Sequence, residues 1–374
     1  MKDRKIRVAI THGDANGIGY EVILKCFEDP AMLELCTPII YGLPKTAAYY
    51  RKALDMQLQF NTIEQANDAR DGRLNLLTVT NEEVNIEVGQ QTSESEEAAR
   101  KAIERAKADI EAGLVDVLVT APAAANNALS RDPQALSMLI HDDLRIALVT
   151  KNVAIKDVSE AITKQIIVQK ITTLHTCLKR DMRISNPRIA VLALNPHAGA
   201  NGLLGEEEQE VIKPAIEELE QKGLQAFGPY AADSFFGNGE FTRFDAVLAM
   251  YYDQGMAPFK AIAPDNGVRF IAGLPTVITA PDHGSCFEIA GQGKADESAM
   301  RNAIYLAIDV ARNRVSYDEP MENPLPKLYH ERRDDSEKVR FAIPKAKDKE
   351  PNHQKPEQKE HKPEQKEHKS DKQE

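Results

Sequence analysis

Short β-rich runs that are apolar on both faces recur along this chain and constrain its fold more than any other feature: "IRVAIT" (6–11), "PIIYG" (38–42), "RLNLLTV" (73–79), "VDVLVTAP" (115–122), "RIALVT" (145–150), "RIAVLALN" (188–195), "FDAVLAMY" (244–251) and "TVITA" (276–280). A strand wetted on one side alternates polar and apolar residues. These runs do not, so they are expected to lie between helical layers, and the helical patterns between them make the chain α/β. In "SESEEAARKAIERAKADIEAG" Ser93 and Glu96 have capping-box spacing and Gly113 follows as a stop. "EEEQEVIKPAIEELEQKG" ends at Gly223, and Glu206, Glu207 and Glu208 suit the positive end of its dipole. Pro214 inside that pattern predicts a kink or a late helix start.

With 374 residues, 42% hydrophobic and 28% charged, the chain can bury one large core or two ordinary ones. Its net charge of -11 gives no long-range attraction to phosphate backbones or anionic lipid, so neither a nucleic-acid nor a membrane partner is expected. Cys26, Cys36, Cys177 and Cys286 show no CxxC spacing and read as reduced thiols. The N-terminus lacks a signal-peptide pattern and no run is long enough to span a membrane, so a cytoplasmic protein is expected. The pattern collapses after about residue 317, and "KPEQKEH" repeats at 355–361 and 362–368. A tail so poor in apolar residues is expected to be disordered from about 344, its His353, His361 and His368 carried on a solvated spacer.

In α/β sheets ligands gather beyond strand ends, and four segments stand there. "ITHGDANGIGYE" (10–21) carries Gly13, Asp14, Gly17 and Gly19, matches neither GxGxxG nor a P-loop, and reads equally as a binding loop or a structural turn. "LNPHAGANGLLGEEE" (194–208) offers His197 as a metal ligand, an acid/base or a structural histidine. "LAMYYDQGMAPFK" (248–260) supplies Asp253, Gln254 and Lys260, with a turn-forming aspartate and a solvated lysine as the bland reading. "APDHGSCFEIAG" (280–291) supplies Asp282 and His283, where Asp282 could simply cap a helix.

Taken in order, "ITHGDANGIGYE", "LNPHAG", "AVLAMYYDQG", "GLP" (273–275) and "DHGSCFEIAGQGKAD" resemble the motifs of the 4-hydroxythreonine-4-phosphate dehydrogenase family of pyridoxal phosphate biosynthesis, over about residues 5–315. The resemblance implies a two-domain α/β/α fold of the isocitrate and isopropylmalate dehydrogenase type, with 1–120 plus 285–317 as one domain, 121–284 as the other, a C-terminal extension over 318–374 and an active-site cleft between the domains. It also implies a homodimer. The reaction would be NAD-dependent oxidation of a phosphorylated amino-acid-like substrate, 4-phosphohydroxy-threonine, followed by decarboxylation, with a divalent metal (Zn, Mg or Mn) held by three histidines.

Carried over position by position, the resemblance makes His197 a metal ligand, Asp253 and Lys260 catalytic, Lys260 and Arg269 substrate-binding, and Gly273 and Leu274 cofactor-binding. The other two ligand positions hold Asn152 and Tyr252, both poorer donors than imidazole for a borderline divalent ion. A G-H-T-E substrate segment is missing from the stretch after "VDVLVTAP", where His141 is expected to cap or face solvent. Ile278 stands where the family has a phosphate-clamping arginine. Three readings follow: a working dehydrogenase of this family, a pseudoenzyme that binds a ligand or partner, and a metal-independent enzyme acting on another substrate.

Overall fold

The computed structural model describes residues 4–323, apart from 81, 83 and 131. Twelve strands make one sheet: β1 (Arg7–Thr11), β2 (Thr37–Gly42), β3 (Phe60–Ile63), β4 (Leu74–Thr78), β5 (Val117–Thr120), β6 (Leu136–His141), β7 (Leu144–Leu148), β8 (Arg188–Leu192), β9 (Gln225–Tyr230), β10 (Ala246–Ala249), β11 (Val268–Ala272) and β12 (Val277–Pro281). Their order is β3-β4-β2-β1-β5-β12-β11-β6-β7-β10-β8-β9. Every apolar run named above overlaps one of them. Most neighbours are parallel, but β11 runs antiparallel to β12 and β6, and β6 antiparallel to β7.

The double-sided burial has a direct structural expression. Val8 and Ile10 of β1 and Val117 and Val119 of β5 pack into one core, while Ala9 and Leu118, pointing the other way, pack into a second. Each buried valine or leucine contributes about 1.5–3 kcal/mol of transfer free energy. A third core, with Ile146, Leu148, Val247 and Phe259, lies against β7 and β10.

Two helix expectations are corrected in detail. The capping box sits one residue earlier than the Ser93 and Glu96 spacing suggests: Thr92 accepts from the Ser95 N–H at 3.2 Å, and the helix Ser93–Glu111 follows. Ahead of Lys213–Gln221, residues Glu208–Ile212 form a π-helical turn, and Pro214 occupies the first turn of the α-helix, where its missing N–H is no loss. The last helix, Ser298–Glu322, runs past the point near 317 where the sequence pattern fades. The repeated tail and its histidines lie outside the described residues. The four cysteines are free thiols. Among the described residues no helix is long and apolar enough to cross a membrane.

Candidate active site

The glycine loop after β1 serves as a brace. Its Asp14 N–H donates to the Pro122 carbonyl at 2.8 Å and its Ile18 N–H to the Ser285 carbonyl at 3.0 Å. A Cβ at Gly13 would come within 2.6 Å of the Pro122 oxygen, one at Gly17 within 2.7 Å of the Ser285 oxygen, and one at Gly19 would overlap the His12 carbonyl. Close backbone approach therefore explains all three glycines. Buried Asp14 accepts from the Asn16 N–H at 2.9 Å, and burial raises its pKa. His12 is fully buried, stacked on Tyr20 at 5.3 Å between ring centroids, and burial lowers its pKa to about 4.

Pro122 and Ser285, the two anchors of that brace, line a cavity of about 370 Å³. It forms where the segments following β5, β7, β10 and β12 meet the inner side of β11. The helix Tyr252–Ile262 contributes Tyr252, Met256 and Lys260, which recur every fourth residue and so share one face. Asp253 is off that stripe and exposed. Gln254 is a staple between strand ends, accepting from the Met250 N–H at 2.7 Å and donating to the Ala193 carbonyl at 2.6 Å.

Charge is concentrated around Asp282. Its side chain is 0% exposed, and Lys260 Nζ and Arg269 Nη2 each approach one of its oxygens at 2.9 Å. Lys260 also donates to the Asp282 backbone carbonyl. The cations themselves reach the cavity, with side chains 37% and 27% exposed. Asp282 is thus an ion-pair anchor, and the segment after it forms only a 3-10 turn at Phe287–Ile289. Lys151, directly after the β7 edge of the cavity, is a third cation; burial lowers its pKa, Arg269 lowers it further and Asp282 opposes. His283 Nδ1 lies 3.1 Å from the Gly284 carbonyl, which assigns the proton to Nδ1, and burial lowers the imidazole pKa. Ile278 lines the same cavity.

The other expected site residues lie elsewhere. His197 opens a run of left-handed residues from 197 to 201, starting at φ 53°, and is exposed. The turn is held by buried Glu208, which accepts from the Leu194 and Asn195 N–H groups at 2.8 and 2.7 Å. Asn152 is exposed too, and neither residue lines the cavity. His141, at the end of β6, is partly exposed with Nε2 3.6 Å from Asp142. Gly273 and Leu274 line a separate cavity of about 280 Å³ with Arg180, Asp181, Pro275 and Arg314, at the opposite end of β12 from Asp282.

The family described as "Pyridoxal phosphate biosynthetic protein PdxA" matches residues 34–307. A 4-hydroxythreonine-4-phosphate dehydrogenase from Bacteroides thetaiotaomicron is 50% identical, covering 91% of this chain and 98% of that protein. The chain belongs to the 4-hydroxythreonine-4-phosphate dehydrogenase (PdxA) family. Among other relatives, a D-threonate 4-phosphate dehydrogenase from Cupriavidus necator is 33% identical, covering 84% of this chain and 100% of that protein. The crystal structure of 4-hydroxythreonine-4-phosphate dehydrogenase from Klebsiella pneumoniae superposes with a TM-score of 0.70 at 27% identity, covering 83% of this chain and 99% of that one. The α/β fold is therefore that of the PdxA family.

The metal that this resemblance implies does not fit the donor set of this chain. Among the described residues no group of three or more His, Cys, Asp or Glu side chains is placed to hold a metal ion. Within the cavity lining, Asp282 is committed to two cations and His283 is the single imidazole. Two positions of the cavity escaped the sequence reading: Lys151, one residue before the position singled out as Asn152, and the role of Asp282 as an anchor. Lys151 had a usable signal, since it directly follows an apolar run. Nothing in the local sequence around Asp282 tells an anchor from a cap.

Proposed function

We propose that this chain oxidises a small phosphorylated hydroxy acid of the 4-hydroxythreonine 4-phosphate kind, with a nicotinamide dinucleotide as hydride acceptor. The observation that carries the reading is the cavity's charge: Lys151, Lys260 and Arg269 face it, and among the lining residues Asp282 alone opposes them. A phosphate monoester carries about -1.5 to -2 charges at pH 7, and a guanidinium presents planar donors to it. Asp282 holds Lys260 and Arg269 in place before a ligand arrives, so binding need not order them. The volume of about 370 Å³ suits a phosphorylated four-carbon acid.

Oxidation of the hydroxyl carbon sends hydride to the dinucleotide and a proton to a base, leaving a keto acid that loses CO₂. His283 is the lining group suited to take that proton, because burial keeps its imidazole neutral at neutral pH. Lys260 is assigned to the substrate. The homodimer, the cytoplasmic location and the division into 1–120 plus 285–317 and 121–284 are further proposals, supported by family membership. The Cupriavidus relative makes D-threonate 4-phosphate the natural second substrate to try.

The test is NADH formation by the purified protein with 4-hydroxythreonine 4-phosphate and NAD, beside an authentic family enzyme. Turnover that falls at least a hundredfold in Lys260→Ala, on the order of 3 kcal/mol, is the expected result. Absence of turnover with either phosphorylated acid, while the control works, would overturn the reading. It would then favour binding without catalysis, which the exposed positions of His197 and Asn152 make the second reading.

A further inference from the structure

We propose that this cavity holds its anionic ligand with protein cations alone, Lys151 and Arg269 supplying the positive charge that a divalent ion would bring. The inference rests on the reading of the cavity as the site for a phosphorylated acid. Four charged side chains line it, and their formal sum is an excess of two positive charges. Of the remaining titratable groups of the lining, Tyr252 is a phenol, and His283 is an imidazole that burial keeps neutral. A phosphate monoester near its dianionic form matches that excess.

A divalent cation is excluded by the same balance. It would enter a partly desolvated space already rich in ammonium and guanidinium, and like charges at close range in low dielectric repel strongly. It would also find no set of three ligating side chains among the described residues. Arg269 adds an independent mark. Its Nη2 is taken by Asp282 at 2.9 Å, while its Nε is buried with no hydrogen-bond partner among the described residues. A buried guanidinium donor without an acceptor is costly to leave unmade, and an anionic ligand supplies the acceptor. In a metal-dependent site the cation polarises the substrate oxygen; here the ammonium of Lys151 is the group in position to donate to it.

Calorimetry on chelator-treated protein tests the inference, with 4-hydroxythreonine 4-phosphate, D-threonate 4-phosphate and inorganic phosphate as probes. Metal-free binding is expected, weakened at least tenfold in Lys151→Gln and in Arg269→Gln and largely restored in Lys151→Arg. Added Mg²⁺, Mn²⁺ or Zn²⁺ should not tighten it, and elemental analysis should find metal well below one ion per chain. Thermal melting of each variant separates lost binding from lost folding. If inorganic phosphate binds with this pattern and 4-hydroxythreonine 4-phosphate does not, the substrate reading fails and the anion site stands. Binding that requires a divalent ion, or that Lys151→Gln leaves unchanged, or no metal-free binding of any probe, would overturn the inference.

Discussion

Two buried aspartates, at opposite ends of β12, meet arginines in different geometries and for different ends: Arg314 grips Asp181 through Nε and Nη2, whereas Arg269 reaches Asp282 through Nη2 alone. Asp181 accepts from Arg314 Nε and Nη2 at 2.8 and 2.9 Å, and the two side chains are 2% and 8% exposed. Arg314 also donates to the Pro275 carbonyl at 2.6 Å. One carboxylate meets one guanidinium, and the pair, barely exposed at the edge of the second cavity, lies between the helix Lys164–Arg180, the turn before β12 and the last helix. Asp282 meets Arg269 and Lys260, with Lys151 beyond, and those cations remain partly open. A balanced, closed pair is scaffold; an unbalanced, open one is prepared for a ligand. Burial of an ion pair alone distinguishes nothing, because its net contribution to stability is small in either setting.

The comparison breaks most directly by removing one partner on each side. Arg314→Ala strands a buried carboxylate and should lower unfolding free energy by about 3–5 kcal/mol, with phosphate affinity unchanged in whatever fraction stays folded. Asp282→Asn should destabilise less, by roughly 1–3 kcal/mol, because water still reaches the two cations it releases. It should tighten inorganic phosphate binding at low ionic strength, since one opposing charge is gone. Denaturant titration and calorimetry read both quantities. A change in phosphate affinity in Arg314→Ala, or none in Asp282→Asn, would remove the distinction.

His12 sharpens the comparison from the neutral side, as a fully buried titratable group with no opposing charge. Burial holds its pKa at about 4 against 6.5 in the unfolded chain, so the folded protein keeps it neutral. Below pH 6.5 the unfolded chain takes up a proton that the folded chain refuses. Its contribution is therefore complete above pH 6.5 and falls as pH drops toward 4, by about 3 kcal/mol in all. Relative to His12→Phe, which keeps a ring against Tyr20 and does not titrate, wild type should lose about 3 kcal/mol as pH falls through that window. Parallel curves would show that other groups carry the acid dependence.

What could be read in the sequence follows the same division between scaffold and site. Strands buried on both faces were legible because apolar continuity is a one-dimensional signal. β6 and β7 join through Asp142 at φ 48° in an Asp-Asp turn, without the Asn-Gly or Asp-Gly mark that announces such hairpins, and β6 escaped notice. β9 was hidden by an internal Gly-Pro, β11 by Arg269 within its apolar residues, and β3 by the polar Asn61 and Thr62 at its centre. At the site, Tyr252 and Lys260 lie on a spacing that a helix converts into one face, while Asp253 beside them points elsewhere. Lys151 and Arg269 acquire meaning only when β7 and β11, distant in sequence, arrive at Asp282. Motif spacing speaks for local structure, and charge balance belongs to the assembled cavity.

The smallest expected effect concerns a neutral contact close to the cavity's brace. Thr92 Oγ1 caps the helix Ser93–Glu111 through the Ser95 N–H and also accepts from Asn16 Nδ2 of the glycine loop at 3.1 Å. Thr92→Ala should cost about 1 kcal/mol, the usual value of an N-cap. Ser93→Ala, at the position that the S-x-x-E spacing favours, should stay within about 0.5 kcal/mol of wild type. Phosphate affinity should change in neither, because an uncharged link behind the cavity wall alters no charge in front of it. If Thr92→Ala weakens phosphate binding severalfold while the melting temperature barely moves, the glycine loop transmits position to the cavity, and the line between scaffold and site runs through the brace rather than in front of it.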